Sequence, residues 1–259
     1  MSADEVLARR QQLLTGERTS PGIAHEAYWF SRHEAAYAWV ADRFDPVARA
    51  LDAGSGEGYG MAHLAAIAEM ACGVELDPLA CIHAGTTYPQ APIVRANLVA
   101  LPLTDAGFDL VVSMQVIEHL WDVPAYLGEI VRVLAPGGHA CISTPNRPVF
   151  SPGLERGERP ANPFHVQEFD AEQLAATLDR SGMADIEVNG LVHGPRIASW
   201  EAEHGPLIDI LIRAMGDGPV PEGLDGFIST LTRHDYRIVR NLDAADGPVQ
   251  DLIAIGRVP

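Results

Sequence analysis

The chain has 259 residues, 47% of them hydrophobic and 20% charged, with 35 acidic against 18 basic side chains and a formal net charge of −17. All 18 basic residues are arginine; without lysine there is no Schiff-base nucleophile, no lysine general base and no Walker-type phosphate loop. The acidic balance speaks against nucleic acid and against an anionic membrane surface, since both are held by dense positive charge.

Residues 1–45 begin with a polar, amphipathic stretch that lacks the apolar core of a signal peptide, so a cytoplasmic location is expected. An aromatic helix over His25–Phe44 follows. From residue 46 to 192 short apolar runs alternate with amphipathic helical patterns, the mark of an α/β core. Strands are expected at Ala48–Ala53, in a run ending Gly73-Val74-Glu75, at Pro92–Ala96, at Phe108–Met114, at His139–Thr144 and near Ile186–Val192. Helices are expected near Tyr59–Ala68, from Asp77-Pro78, where Asp can cap and Pro can occupy the first turn, and over Asp170–Ser181. The helix before the fifth strand stops at Leu134-Ala-Pro-Gly-Gly138. Residues 147–168, rich in Pro, Gly and Arg, read as a loop. Residues 193–248 interrupt the alternation with helices near Ile197–Met215 and Glu222–Thr232, which either cover substrate or bury apolar surface. Residues 249–259 carry the last strand, Asp251–Ile255. The expected fold is α/β, a doubly wound, seven-stranded, mostly parallel sheet with an N-terminal helical lid and a helical insertion before the last strand. No run approaches the ~20 apolar residues of a membrane helix. Cys72, Cys81 and Cys141 lack C-x-x-C spacing and read as free thiols in a reducing compartment, two of them buried in strand-like runs.

The strongest motif is Leu51-Asp52-Ala53-Gly54-Ser55-Gly56-Glu57-Gly58, between a strand and a helix. Its glycines let backbone approach a ligand, and the helix N-terminus presents N–H groups. A dinucleotide fingerprint would need a third glycine where Tyr59 stands. What remains is D-x-G-x-G-x-G with Glu75 closing the next strand, where a carboxylate can accept both hydroxyls of a ribose. A nucleoside-containing cofactor is expected.

These ordered motifs resemble the class I S-adenosylmethionine-dependent methyltransferases, over about residues 48–192 and again at the last strand. The resemblance implies that the loop with Asp52, Gly54, Ser55 and Gly56 surrounds the methionine part of S-adenosylmethionine and that Glu75 holds its ribose. It also implies that Asn97 and Leu98 flank adenine and that Gln115 lines the methionyl end. Arg132-Val-Leu-Ala-Pro-Gly-Gly138 matches the turn before strand five.

Strand four runs into Gln115-Val-Ile-Glu118-His119-Leu-Trp121-Asp122. Carboxyl ends of strands form the ligand crevice in such sheets, so Glu118 and His119 face it. A hydroxyl acceptor is a poor nucleophile until deprotonated. Histidine can take that proton near neutral pH with a carboxylate orienting it; alternatively the pair ligates a divalent cation, or His119 orients the loop. The stretch is similar to the E-x-x-E-H motif of metal-assisted ubiquinone-biosynthesis O-methyltransferases, with Gln115 in place of the first Glu. His165, in Asn162-Pro-Phe-His165, is the general base, the third metal ligand or a loop histidine. Glu118, His119 and His165 are thus the candidate catalytic residues and metal ligands, with Mg2+ the candidate ion. Arg147 is a candidate contact for an acidic substrate, with Arg156 and Arg159 read as solvated.

Thr15–Thr19 and Tyr28-Trp-Phe-Ser-Arg32-His33 form a further cluster, in which Arg32 and His33 could fold over the methionyl carboxylate. With Ser143-Thr-Pro-Asn-Arg147, His193-Gly-Pro-Arg196 and the ending Asp251–Ile255, this cluster resembles the mycobacterial sugar O-methyltransferases of polymethylated polysaccharides. That resemblance, and nothing in composition or spacing, implies a small-molecule carbohydrate acceptor. The expected acceptor is a mannoside methylated at its reducing-end 1-OH, with a methylglucose polysaccharide precursor or a quinone as alternatives. A protein that binds cofactor without transfer is the alternative from another class. A homodimer is compatible with the sequence.

Overall fold

The computed structural model describes residues 19–215, 218–240, 242 and 247–259. Eight strands form one mixed sheet in the order β3-β2-β1-β4-β5-β8-β6-β7. They are β1 (Val47–Ala53), β2 (Ala68–Glu75), β3 (Ile93–Arg95), β4 (Phe108–Met114), β5 (Leu134–Pro145), β6 (Ala184–His193), β7 (Tyr236–Arg240) and β8 (Val249–Arg257). Neighbours from β3 through β5 are parallel, whereas β8 runs antiparallel to both β5 and β6, and β7 antiparallel to β6. The chain winds outward from β1 through β2 to β3, then crosses back to β4 on the other side of β1. Strand order therefore reverses between β1 and β4, which opens a crevice at their carboxyl ends.

Seven strands are expected from the sequence; the described residues form eight. The additional one, Tyr236–Arg240, falls inside the expected insertion 193–248 and pairs with β6 at the sheet edge. Only Tyr236 and Val239 of its five residues are buried, and two of the rest are arginines. An edge strand with one wet face carries little of the apolar signal by which interior strands are recognised.

The helices are α1 (Ala27–Arg43), α2 (Tyr59–Leu64), α3 (Pro78–Thr87), α4 (Val123–Val133), α5 (Arg147–Phe150), α6 (Ala171–Arg180), α7 (Pro195–His204), α8 (Leu207–Met215) and α9 (Leu224–Ile228). Two start where the sequence signals placed them. The Asp77 carboxylate accepts from Leu79 and Ala80 N–H ahead of α3, and Asp170 forms a capping box with Gln173 ahead of α6. The long helix expected over Ile197–Met215 is broken into α7 and α8 by Gly205-Pro206, because proline cannot continue the hydrogen-bond ladder.

Period-2 alternation sorts the strand residues onto two faces. Ala50, Leu110, Val112, Cys141 and Ile253 pack with α1, Ile197 of α7, Leu207 and Leu211 of α8, and Leu224 of α9. Leu51, Val111, Ala140, Ile142 and Leu252 pack with α4 and α6 on the other face. The described part of the insertion is thus a structural layer over the sheet. Cys72 and Cys141 are buried free thiols in β2 and β5, and Cys81 is partly exposed. Among the described residues no helix is long and apolar enough to cross a membrane.

One buried ion pair ties the two ends of the described chain together. Arg32 of α1 donates from Nε and Nη2 to the two carboxylate oxygens of Asp251 in β8, at 2.9 and 2.8 Å. Its guanidinium also lies 5.0 Å from the ring centres of Trp29 and Phe150. Arg32 is 2% exposed.

Candidate active site

The carboxyl ends of β1 to β4 surround a cleft of about 340 Å³, and the residues lining it come from five segments. Thr19, His33 and Tyr37 approach from the N-terminal side, and Gly54 to Glu57 with Tyr59 form the loop after β1. Glu75 ends β2 and Leu76 follows it, Asn97 and Leu98 follow β3, and Met114 ends β4, with Gln115, Val116, His119 and Leu120 after it.

The loop after β1 needs its glycines for two different reasons. Gly54, Gly56 and Gly58 all have positive φ, a region L side chains avoid. A β-carbon on Gly54 would also strike Val116, whereas one on Gly56 would project into open space. Gly56 therefore leaves a cradle that a side chain would fill. Glu75 supports that cradle: its carboxylate accepts from the N–H groups of Gly56 at 2.9 Å, Leu76 at 2.9 Å and Asp77 at 2.8 Å. Asp52 lies beneath, fully buried. Tyr37 donates to its Oδ1 at 2.8 Å, while Oδ2 has no hydrogen-bond partner among the described residues. Burial raises the Asp52 carboxyl to about 7, the Tyr37 bond opposing it and Glu75 adding to it. An orphaned buried oxygen, an open glycine cradle and a carboxylate at the end of β2 fit a polar ligand of nucleoside size.

At the end of β4, Gln115 adopts φ +57°, an uncommon conformation for a non-glycine residue. It is held there from β5: its backbone N–H donates to Ser143 O at 3.1 Å, and its Nε2 to Ser143 Oγ at 3.2 Å. One turn later Glu118, 1% exposed, accepts from Thr144 Oγ1 at 3.1 Å. Burial raises its carboxyl to about 8 against that hydrogen bond, with Asp251 and Glu168 contributing. The Glu118 backbone carbonyl accepts from Val166 N–H at 2.8 Å, which draws loop 162–168 over the strand end.

That contact brings Glu118, His119 and His165 together, one ligand atom of each lying within 4.8 Å of the others. The two rings meet edge to face at 5.1 Å. Their tautomers follow from their partners. His119 Nδ1 lies 3.0 Å from Phe164 O, which can only accept, so Nδ1 carries the proton and Nε2 the lone pair. Asn162 Oδ1 accepts from Phe164 N–H, so its Nδ2 donates to His165 Nε2 at 3.0 Å, and His165 Nδ1 donates to Glu168 at 2.6 Å. His165 is thus engaged at both nitrogens. Of the two, only His119 lines the cleft.

Arg32, expected over the methionyl carboxylate, is not among the cleft-lining residues and is committed to Asp251. Arg147, considered for an acidic substrate, donates instead to Asp170 at 2.7 Å, and Arg156 joins the same carboxylate at 2.9 Å. No described residue of 193–248 lines the cleft. Thr15–Arg18 lie outside the described residues, while Thr19 reaches the cleft.

Sequence reasoning missed the role of Tyr37. It lies four residues after His33, so both fall on one helical face, and that spacing was the available signal. His33 Nδ1 and Tyr59 OH are 2.9 Å apart, and burial with the nearby Arg32 and His119 lowers His33 to about 3. It is therefore a neutral imidazole in the cleft wall. Gly60 makes room for Tyr37, because a β-carbon there would overlap the ring. Gly60→Ala is expected to push Tyr37 off Asp52, destabilising the protein by about 1–3 kcal/mol as overpacking does and weakening S-adenosylhomocysteine binding. Thermal unfolding and calorimetric titration check this, with Tyr37→Phe expected to lose affinity at a smaller cost in stability. An unchanged melting point and affinity in Gly60→Ala would mean the ring has room to move.

Comparison with known proteins bears on this arrangement. Residues 51–142, from the first glycine loop to β5, match a family model described as a methyltransferase domain. A probable S-adenosylmethionine-dependent methyltransferase of Mycobacterium tuberculosis is 41% identical over 254 residues, covering 95% of this chain and 89% of the relative. A ubiquinone biosynthesis O-methyltransferase of Xanthomonas axonopodis is 28% identical over 171 residues, covering 61% of this chain and 72% of the relative. Among solved structures, a SAM-dependent methyltransferase from Thermotoga maritima superposes with a TM-score of 0.61 over 90% of this chain and 94% of its own, at 17% identity, a likeness of fold alone. With the cradle, the acidic residue closing β2 and an end-to-end relative in agreement, the chain belongs to the S-adenosylmethionine-dependent methyltransferases, and S-adenosylmethionine is its cofactor.

Proposed function

We propose that this methyltransferase transfers to oxygen, on a neutral sugar hydroxyl, with His119 as the base. The observation that carries the reading is the convergence of His119, Glu118 and His165 beside the cleft end marked by Gln115. When bound, S-adenosylmethionine supplies an electrophilic methyl group on its sulfonium. Asp52 and the Gly54–Gly56 backbone would hold the methionine part, Glu75 the ribose, and Asn97 with Leu98 the adenine. His119 Nε2 takes the proton from the acceptor hydroxyl, and the Phe164 carbonyl fixes the ring while it does so. Glu118 Oε1 lies 4.0 Å from Nε2, and its ionised form, the minor one near neutral pH, stabilises the imidazolium that forms. His165, anchored by Asn162 and Glu168, packs edge-on against His119 and holds it in place.

The same three residues would hold a divalent cation, which would acidify a coordinated hydroxyl, once His165 Nε2 gave up its hydrogen bond to Asn162. Two imidazoles and one carboxylate suit zinc or manganese. Magnesium demands near-octahedral oxygen ligands and is poorly served, the more so because an amide, Gln115, stands where a further carboxylate would help.

The narrower acceptor, the 1-OH of a 3-O-methylated mannoside that is precursor to a polymethylated polysaccharide, rests on the resemblance of motifs outside the core, Arg32-His33 and His193–Arg196 among them, of which His33 alone lines the cleft. The partial similarity to a ubiquinone biosynthesis O-methyltransferase favours keeping a quinone precursor as the second reading.

The test is an assay with labelled S-adenosylmethionine against methylated and unmethylated hexosides and a catechol, with and without chelator. Transfer to a hexoside is expected; transfer to the catechol alone would replace the sugar reading, and full activity after complete chelation would remove the ion. S-adenosylhomocysteine should raise unfolding stability by about 2.7 kcal/mol at a hundredfold excess over its Kd.

A further inference from the structure

Trp121 is 88% exposed, the most exposed large apolar side chain among the described residues. Its backbone is held on both sides. The 3-10 turn Ile117–His119 precedes it, with Leu120 N–H donating to Ile117 O, and Gln167 Nε2 donates to Leu120 O at 3.2 Å. On the other side Asp122 caps α4, accepting from Ala125 N–H at 2.9 Å. An indole kept in water by a fixed backbone gives up apolar burial and belongs to no core. A flat ring with two rotatable bonds and one N–H donor is well suited to binding at low entropic cost.

The location is specific. Leu120 lines the cleft and Trp121 follows it in the chain. Among the described residues the only other exposed Phe, Trp or Tyr ring is Phe164, at 38%. Phe164 supplies the carbonyl that accepts from His119 Nδ1. Both exposed rings are therefore attached to His119, one two residues along the chain and the other through a hydrogen bond. The charges nearby select against anions. Asp122 and Glu168 are acidic, and the loop cations are paired, Arg147 with Asp170 and Arg156 with both Asp170 and Glu172.

We propose that Trp121, with Phe164 as a second exposed ring, is the platform on which the methyl acceptor stacks, and that the stacked group is an uncharged pyranose presenting its C–H face. This rests on the sugar-hydroxyl reading above and adds to it the residues that select the ring. A pyranose has both an apolar face for the indole and hydroxyls for its N–H. Held so, it would place one hydroxyl toward His119.

The experiment uses the full chain with S-adenosylmethionine and the hexosides of the panel, comparing wild type with Trp121→Ala and Trp121→Phe. Trp121→Ala is expected to raise the acceptor KM about tenfold or more, as loss of an aromatic anchor does. The loss should fall on KM rather than kcat and leave the KM for S-adenosylmethionine unchanged, and Trp121→Phe should recover most of it. Titration with the acceptor should change tryptophan fluorescence in wild type, and that change should be absent in Trp121→Phe. An unchanged acceptor KM in Trp121→Ala, or a loss confined to kcat, overturns the platform while leaving the sugar reading intact. No transfer from wild type to any hexoside overturns both.

Discussion

Alanine in place of His119 is expected to lower kcat by about 10²–10⁴-fold, the usual contribution of a positioned general base, or about 3–5 kcal/mol of transition-state stabilisation. Binding of S-adenosylhomocysteine should be unchanged, since the Glu75 carboxylate is positioned by the N–H groups of Gly56, Leu76 and Asp77 and not by the imidazole. The ranking of two histidines is the sharper part of the expectation. His119 lines the cleft with Nδ1 locked to the Phe164 carbonyl, so its lone pair is on Nε2. The His165 lone pair accepts from Asn162, and its proton is given to Glu168. His165→Ala should therefore cost less in turnover, act by loosening His119, and leave the acidic limb of the kcat/KM profile in place, whereas His119→Ala should abolish that limb. Single-turnover rates with saturating cofactor measure the difference. A larger loss in His165→Ala than in His119→Ala would reverse the roles.

Removal of either partner of the Arg32–Asp251 pair should be the most destabilising polar substitution in the protein. The pair is bidentate, 2.8 to 2.9 Å, and both side chains are at most 3% exposed. Truncating one partner strands a buried charge, which costs about 3–5 kcal/mol. For a chain of this size that corresponds to a fall in Tm of about 6–20 °C. Arg32→Met combined with Asp251→Leu should be far less harmful than the sum of Arg32→Ala and Asp251→Ala, because no charge is then left unpaired and methionine retains packing against Trp29 and Phe150. Denaturant midpoints of the single and double variants decide it. Additive losses, or single losses below about 1 kcal/mol, would mean that water reaches the pair.

These two sites differ in how far the sequence announces them. The cradle proposed for the cofactor is local: Asp52 to Gly58 is one strand end and one turn, and Glu75 closes the next strand, so glycine placement and strand order were enough to nominate it. Asp77 and Asp170 announce their helices for the same reason. Glu118 and His119 were legible as a strand end, but what joins His165 to them is the Glu118 carbonyl bonding Val166 N–H, a backbone contact with no side-chain pattern. Arg32 shows the limit most clearly. Its position among aromatics before the first strand suggested a ligand contact, yet its partner lies 219 residues away, where a single Asp at the start of an apolar strand gives no sign of it. Tyr37 and Asp52 are likewise paired by the packing of α1 on the sheet rather than by proximity in the chain. β7 was missed because an edge strand of five residues exposes its arginines to water and looks like loop.

The position of β8 has a consequence for how the molecule is made. β8 lies between β5 and β6, so of the eight strands the one that comes last in chain order fills the interior of the sheet. Until Val249–Arg257 leave the ribosome, β5 and β6 have no partner on their facing sides, and residues 194–248 must be made while that gap stays open. The parallel half, β1 to β5, can begin to pair during synthesis, since its pairings are close in sequence, and β8 later completes both faces of its core through Leu252 and Ile253. The other half waits for the final strand, and meanwhile an apolar, unpaired edge is a template for pairing with another chain. Aggregation during expression should thus concentrate in nascent or truncated chains that stop short of residue 249, and a chaperone that shields the β5 edge would act at that stage.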